Sequence, residues 1–158
     1  MRKKLRGRRG LTLAETLVAL AVFAILSVAL VVGTTAAWKV YQKAVVASEA
    51  RTLQSTLTQS IGDELRYAKN IQANGRFDSE SFGKDVSVSS ADGKVKVGSH
   101  QLLPAKAYTK GLKAEVTVTY DQGNFTVELT ISHPLLPEGG YQTKLQIRAL
   151  NAPPAAEP

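Results

Sequence analysis

The pattern of apolar and polar residues divides the chain into three parts, and each part predicts a different element. From Thr16 to Ala37 no charged residue occurs, and Leu, Val and Ala dominate. From Val46 to Ile71 apolar residues recur every three or four positions, which indicates a helix with one apolar face. After the turn signal Asn74-Gly75, apolar and polar residues alternate, which is typical of strands with one buried face.

The first two parts predict one long helix, from about Thr12 to Gln72. No proline occurs before Pro104, so nothing in the sequence requires an earlier stop. The uncharged part exceeds the roughly 7–15 apolar residues of a secretory signal and reaches the roughly 20 of a membrane-spanning helix. The second part needs a partner for its apolar stripe, either a sheet or a coiled-coil stalk. That stripe consists of Val46, Ala50, Leu53, Leu57, Ile61, Leu65, Ala68 and Ile71.

The C-terminal part predicts four or five antiparallel strands. Hairpin loops are expected at Asp92-Gly93 and at Asp121–Gly123, and Arg76–Gly83 is expected to be a polar loop. The predicted strands are Asp85–Ser89, Lys94–Gly98, Leu112–Tyr120, Asn124–Ser132 and Tyr141–Leu150. A sheet with one apolar face needs a cover, and the helical stripe can supply it. The predicted fold is therefore α+β, a long N-terminal helix packed on a C-terminal antiparallel β-meander.

The positive charge of the chain is concentrated before the apolar helix. The remainder of the chain is nearly neutral. Six of the 20 basic residues lie before the helix: Arg2, Lys3, Lys4, Arg6, Arg8 and Arg9. Such a bias favours a cytoplasmic N-terminus and an exported C-terminal domain. The predicted organisation is a basic leader (1–10), a transmembrane and assembly helix (11–37), an amphipathic helix (38–73), a sheet head (74–150) and a disordered tail (151–158).

Glu15 is a carboxylate at the start of the apolar helix. A carboxylate deep in a bilayer costs about 2.5–3.5 kcal/mol on insertion scales. The cost largely vanishes at the level of the lipid headgroups. Two interpretations are therefore open: Glu15 lies at the headgroup level, or it is kept inside the membrane for a function.

The N-terminus resembles that of the type IV pilin and type II secretion pseudopilin family. The residues that carry the resemblance are the basic leader Met1–Arg9, Gly10, the segment LTLAE at Leu11–Glu15, and the apolar helix that follows. The resemblance implies that a membrane prepilin peptidase cuts after Gly10 and methylates the new amino terminus at Leu11. It also implies that Glu15 is the assembly glutamate. The family usually begins its mature chain with Phe, where this chain has Leu11.

The resemblance gives Glu15 a chemical role. Cleavage would create an ammonium at Leu11, and the carboxylate of a neighbouring subunit could pair with it inside a helical bundle of low dielectric. The chain would then be a minor pilin or pseudopilin, held in the membrane by Thr16–Ala37 and later part of a cell-surface or periplasmic filament. Its expected partners are the prepilin peptidase/methyltransferase and other pilin subunits. The helix without proline and the absence of cysteine favour a minor subunit.

The remaining residues give little sign of catalysis or cofactor binding. The chain has no cysteine, which excludes disulfides, thiol catalysis and cysteine-ligated metals. His100 and His133 are far apart and lack companion ligand spacing, so neither a metal site nor a cofactor is expected. Asp63-Glu64 fits a solvated helix face better than an acid pair. We therefore predict that the chain is not an enzyme.

Two rival functions remain open. Five lysines of the head could form a DNA-binding patch of a DNA-uptake pilin: Lys94, Lys96, Lys106, Lys110 and Lys113. Interspersed acids and the scarcity of aromatic residues, with only Tyr108 and Tyr120 nearby, make DNA binding the weaker hypothesis. The other rival is a single-pass anchored protein whose exported domain binds a ligand. Intact Met1, or cleavage near Ala37, would indicate that rival.

Overall fold

The computed structural model describes residues 12–152. One long helix, α1, spans Leu13–Arg66. The boundary between two compact units falls within it, between Gln42 and Lys43. The residues up to Gln42 form the N-terminal unit, and those from Lys43 onward form the head. The strands of the head are β1 (Phe77–Ser79), β2 (Gly83–Val86), β3 (Val88–Ala91), β4 (Lys94–Val97), β5 (His100–Gln101), β6 (Lys113–Asp121), β7 (Asn124–Ser132) and β8 (Tyr141–Arg148).

The strands pair antiparallel in three sheets, ordered β1-β2, β3-β4-β5 and β6-β7-β8. The third sheet is a meander in continuous register, in which Val127 pairs with Val118 on one side and Leu145 on the other. Between β5 and β6 lie two short 3₁₀ helices, Ala105–Ala107 and Thr109–Gly111. The predicted α+β class, with a long N-terminal helix and antiparallel strands, is confirmed.

The apolar stripe of α1 forms part of the core of the head. Its buried members within the helix are Val46, Ala50, Leu53, Leu57, Ile61 and Leu65. They share one core with alternate residues of the central strand β7, namely Phe125, Val127, Leu129 and Ile131. Polar contacts join the same surfaces, since Gln54 Nε2 donates to Thr143 Oγ1 on β8. The helix therefore covers the meander, as the periodicities predicted.

The predicted hairpin loops have the backbone that short turns require. Gln122 and Gly123 connect β6 to β7 with φ of 45° and 87°, and Asp92 and Gly93 connect β3 to β4 with φ of 55° and 70°. Two successive positive φ angles match the right-handed twist of the flanking strands. Both hairpin predictions are confirmed.

The helix ends at Arg66, so the predicted end near Gln72 is wrong. The backbones of Lys69 and Asp78 exchange two hydrogen bonds. The Lys69 N–H donates to the Asp78 carbonyl at 3.0 Å, and the Asp78 N–H donates to the Lys69 carbonyl at 2.7 Å. The Arg66 carbonyl accepts from the N–H of Leu150, which follows the last strand, at 2.9 Å. These partners are distant in sequence and replace the next helical turn. The Asn74-Gly75 turn itself is present, with Gly75 N–H bonded to Gln72 O at 2.9 Å.

Two predictions for the segment after this turn are also wrong. Arg76–Gly83, expected as a loop, contains β1, and Gly83 begins β2. Asp85–Ser89, expected as one strand, is divided between β2 and β3, which belong to different sheets. Asp85 has a φ of 53°, a left-handed conformation that interrupts an extended strand.

A polar network holds Asp85 in that conformation. Arg76 donates from Nε to Asp85 Oδ1 at 2.6 Å and from Nη2 to the Asp85 carbonyl. Asp78 Oδ1 accepts from the Asp85 N–H at 2.9 Å, and Asp78 Oδ2 accepts from Asn70 Nδ2 at 2.7 Å. The Arg76 hydrogen bond lowers the pKa of Asp85, and the Asn70 hydrogen bond is the main cause that lowers the pKa of Asp78.

The first two residues of the predicted tail 151–158 lie among the described residues. Asn151 Nδ2 donates to Ala68 O at 3.2 Å, and Ala152 N–H bonds to Ala149 O at 3.3 Å. Asn151 therefore satisfies the carbonyl of Ala68, two residues beyond the end of α1, and Ala152 closes a turn on Ala149. Residues 153–158 of that tail, and the leader 1–10, lie outside the described residues.

Candidate assembly site in the N-terminal unit

Glu15 closes a capping box at the start of α1. Its Oε2 accepts from the Thr12 backbone N–H at 3.0 Å and from Thr12 Oγ1 at 3.2 Å. In return, the Glu15 N–H donates to Thr12 Oγ1 at 3.3 Å. A threonine followed three residues later by glutamate satisfies two N–H groups that a helix start otherwise leaves without partners. The negative charge of Glu15 also interacts favourably with the positive end of the helix dipole.

The sequence reasoning missed Thr12 as a partner of Glu15. The signal was present, because T-x-x-E at Thr12–Glu15 is the capping-box spacing. Gly10 and Leu11, the predicted cleavage and methylation residues, lie outside the described residues.

The apolar segment Thr16–Ala37 is helical and exposed throughout most of its length. Its large side chains, such as Phe23 and Leu30, are each more than half exposed. Burying a Leu, Val, Ile or Phe side chain contributes about 1.5–3 kcal/mol, so water is a poor solvent for this surface. By length and composition, α1 is long and apolar enough to cross a membrane, and none of its 18-residue apolar window is buried by the protein.

The hydroxyl groups of this segment are satisfied by the helix itself. Thr16 donates to Leu13 O at 2.8 Å and Ser27 to Phe23 O at 2.8 Å. Thr34 and Thr35 donate to carbonyls three or four residues earlier, at 2.9–3.0 Å. Hydroxyls bonded in this way need no water, so they fit a hydrocarbon environment.

The two histidines serve local structure in the head. His133 Nε2 lies 3.0 Å from the Lys110 carbonyl, and the Leu135 N–H donates to His133 Nδ1 at 3.0 Å. His100 lies beside Ser99, with 3.3 Å between His100 Nδ1 and Ser99 Oγ. Within residues 12–152, no group of three or more His, Asp or Glu side chains is placed to hold a metal ion.

The two tyrosines near the lysines are packed into the head. The Tyr108 ring is buried, its hydroxyl accepts from the Val95 N–H at 3.0 Å, and burial raises the pKa of Tyr108. Tyr120 packs against Phe125 with 4.8 Å between ring centroids. Lys110 forms an ion pair with Glu49 at 3.9 Å. The buried ring of Tyr108 is therefore not presented as a platform for a nucleic-acid base, whereas Tyr120 is only partly buried.

An open groove of about 300 Å³ lies between α1 and the first 3₁₀ helix. Its lining residues include Glu49, Thr52, Leu53, Lys106 and Thr109. Thr109 Oγ1 donates to Glu49 Oε2 at 2.6 Å, so the head's own side chains hold the carboxylate of this groove.

Comparison with known families gives a match at the N-terminus. Residues 5–31 match the family described as the prokaryotic N-terminal methylation motif. Neither the search of curated proteins nor that of solved structures gave a match. The matched region contains Gly10, Leu11 and the Thr12–Glu15 capping box, and it extends into the exposed apolar helix. The chain thus carries the prokaryotic N-terminal methylation motif at residues 5–31, as a type IV pilin-like protein does.

Proposed function

We propose that this chain is a minor pilin or pseudopilin, a structural subunit without catalytic activity. A prepilin peptidase removes the leader after Gly10 and methylates Leu11. Thr16–Ala37 then holds the subunit in the membrane, with the head exported, until it enters a type IV pilus or type II secretion-like filament. The methylation motif at residues 5–31, continuous with an exposed apolar helix, is the observation that carries this proposal.

In the proposed assembly step, Glu15 pairs with the ammonium of Leu11 on a neighbouring subunit. Both Thr12 donors act on Oε2 of Glu15. A carboxylate has about four acceptor sites, so it can accept a further donor without losing the cap. The pair would form among packed helices, where an unpaired charge costs about 3–5 kcal/mol. Each subunit would therefore dock in the register at which the two charges meet.

Processing is tested by the mass of the mature N-terminus after co-expression with a prepilin peptidase. We expect a chain that begins at Leu11 and carries one added methyl group. Gly10→Val places a branched side chain at the cleaved bond and is the matched control, for which the leader should remain. An intact Met1 in the wild-type chain, or cleavage near Ala37, would favour the anchored binding protein instead.

Assembly is tested with Glu15→Gln and with Thr12→Val as its matched control. Glu15→Gln keeps the size of the side chain but leaves the Leu11 ammonium unpaired. At about 1.4 kcal/mol per tenfold, incorporation should fall by about a hundredfold or more. Thr12→Val retains the carboxylate and weakens only the cap, by about 0.5–2 kcal/mol. Normal incorporation of Glu15→Gln into sheared filaments would contradict the role of Glu15.

A further inference from the structure

Trp38 and Tyr41 form an exposed aromatic pair where the apolar segment ends. Their ring centroids lie 5.6 Å apart with a 32° tilt, and the residues are 60% and 59% exposed. Their spacing of three places both on one face of α1. Two large aromatic side chains packed on each other and open to solvent are unusual unless something else covers them.

The charges that follow the apolar segment identify what covers this pair. Lys39 is the first charged residue after Glu15, and Lys43 follows one helical turn later. Lysine lays its apolar stem along hydrocarbon and keeps its ammonium in water. Trp and Tyr concentrate at membrane–water interfaces, where an apolar ring and a polar tip are both satisfied. This combination fits the boundary of a bilayer.

We propose that Trp38 and Tyr41 anchor the subunit at the headgroup level of the exported side of the bilayer. The partner surface is the lipid itself. This inference rests on the proposed storage of the subunit in a membrane. It adds the position along α1 at which the bilayer ends, because the two rings resist movement of the helix in either direction along the membrane normal.

The anchor also sets the depth of Glu15. From Glu15 to Trp38 the helix rises about 34 Å, at 1.5 Å per residue. The hydrocarbon core of a bilayer is about 30 Å thick, and a typical tilt of about 20° shortens the span only slightly. Glu15 and its capping box then lie at the opposite headgroup level. In the stored subunit this carboxylate is held by Thr12 of its own chain.

The chain itself supplies the probe for a test, because Trp38 is its only tryptophan. The full chain is reconstituted into phosphatidylcholine vesicles whose acyl chains carry bromine either near the headgroup or near the terminal methyl. Bromine quenches indole fluorescence at short range. We expect shallow bromine to quench Trp38 more than deep bromine does. The reverse order, or an absence of quenching in chains that float with the vesicles, would overturn the anchor.

Two relocated probes test the depth of the rest of the helix, each made in a Trp38→Phe background. Val28→Trp lies in the middle of the apolar segment and should be quenched mainly by deep bromine. Ala14→Trp lies beside Glu15 and should be quenched mainly by shallow bromine. Deep quenching at position 14 would overturn the depth assigned to Glu15. Failure of the wild-type chain to float with the vesicles would instead refute the proposed membrane storage itself.

Discussion

The hydroxyl of Thr58 is buried in the head without a hydrogen bond to the described residues. Its Oγ1 is shielded from solvent and has no hydrogen-bond partner among residues 12–152. Thr56, two positions earlier on α1, is exposed and donates from Oγ1 to the Thr52 carbonyl at 2.9 Å. The two threonines therefore have opposite environments on one helix, and the change Thr58→Val has a matched control in Thr56→Val.

The expected size of the effect follows from these environments. A buried hydroxyl without a partner costs about 1–3 kcal/mol relative to a satisfied one. Valine has nearly the shape of threonine, and the two have similar helix propensities. We therefore expect Thr58→Val to raise the free energy of unfolding by about 1 kcal/mol. For a domain of this size, that corresponds to an increase in Tm of roughly 4 °C.

The assay is thermal unfolding of the full chain in detergent micelles, monitored by near-ultraviolet circular dichroism of the tyrosines and phenylalanines in the head. Thr56→Val should leave Tm unchanged or lower it slightly, since it removes a satisfied hydroxyl at the surface. A lower Tm for Thr58→Val than for Thr56→Val would refute the reasoning. It would mean that the Thr58 hydroxyl has a partner, such as a bound water.

Two further substitutions and one pH titration test other parts of the head. Leu57→Ala should destabilise it by about 2–5 kcal/mol in the same unfolding assay, because this side chain is fully buried; an effect below 1 kcal/mol would mean that the stripe does not cover the sheet. Gly140→Ala should cost at least about 1–3 kcal/mol, because its φ is 66° and a Cβ would lie 2.1 Å from the Ile131 carbonyl oxygen; wild-type Tm would contradict this. The pKa values of Asp78 and Asp85 are lowered in the folded chain, so their ionised carboxylates stabilise the head against unfolding. This contribution is complete above the unfolded carboxyl pKa of about 3.9. It is lost as the pH falls below that value. The urea concentration at the unfolding midpoint, measured from pH 6 to pH 2, should fall with this loss. If the midpoint of Asp85→Asn fell as steeply with pH as that of the wild type, Asp85 would not contribute.

Most of the regular structure of the head was predictable from local patterns. The strands β6, β7 and β8 begin within one residue of their predicted starts, because alternation identifies one buried face without knowledge of the partner strand. The hairpin turns were equally predictable, since Asp92-Gly93 and Gln122-Gly123 supply residues that tolerate positive φ. In the N-terminal unit, the capping box at Thr12–Glu15 was missed, although both partners lie within one helical turn.

The features that were predicted wrongly depend on distant partners. The end of α1 is set by Asp78, Leu150 and Asn151, which occupy the backbone groups that another turn of helix would use. The division of Asp85–Ser89 between two sheets depends on Arg76 and Asp78, which stabilise Asp85 in a left-handed conformation. No local pattern contains these contacts.

The sequence by itself determined the apolar helix, the methylation motif, the amphipathic stripe and the alternating strands. Each of these is a local property, since it repeats with the period of a helix or strand or is read within a few residues. Only the tertiary structure decided where α1 ends, how the strands divide into three sheets and which side chains satisfy the buried polar groups. The physical reason is that a backbone hydrogen bond is needed wherever water is excluded, and its partner is whichever group the folded chain brings there.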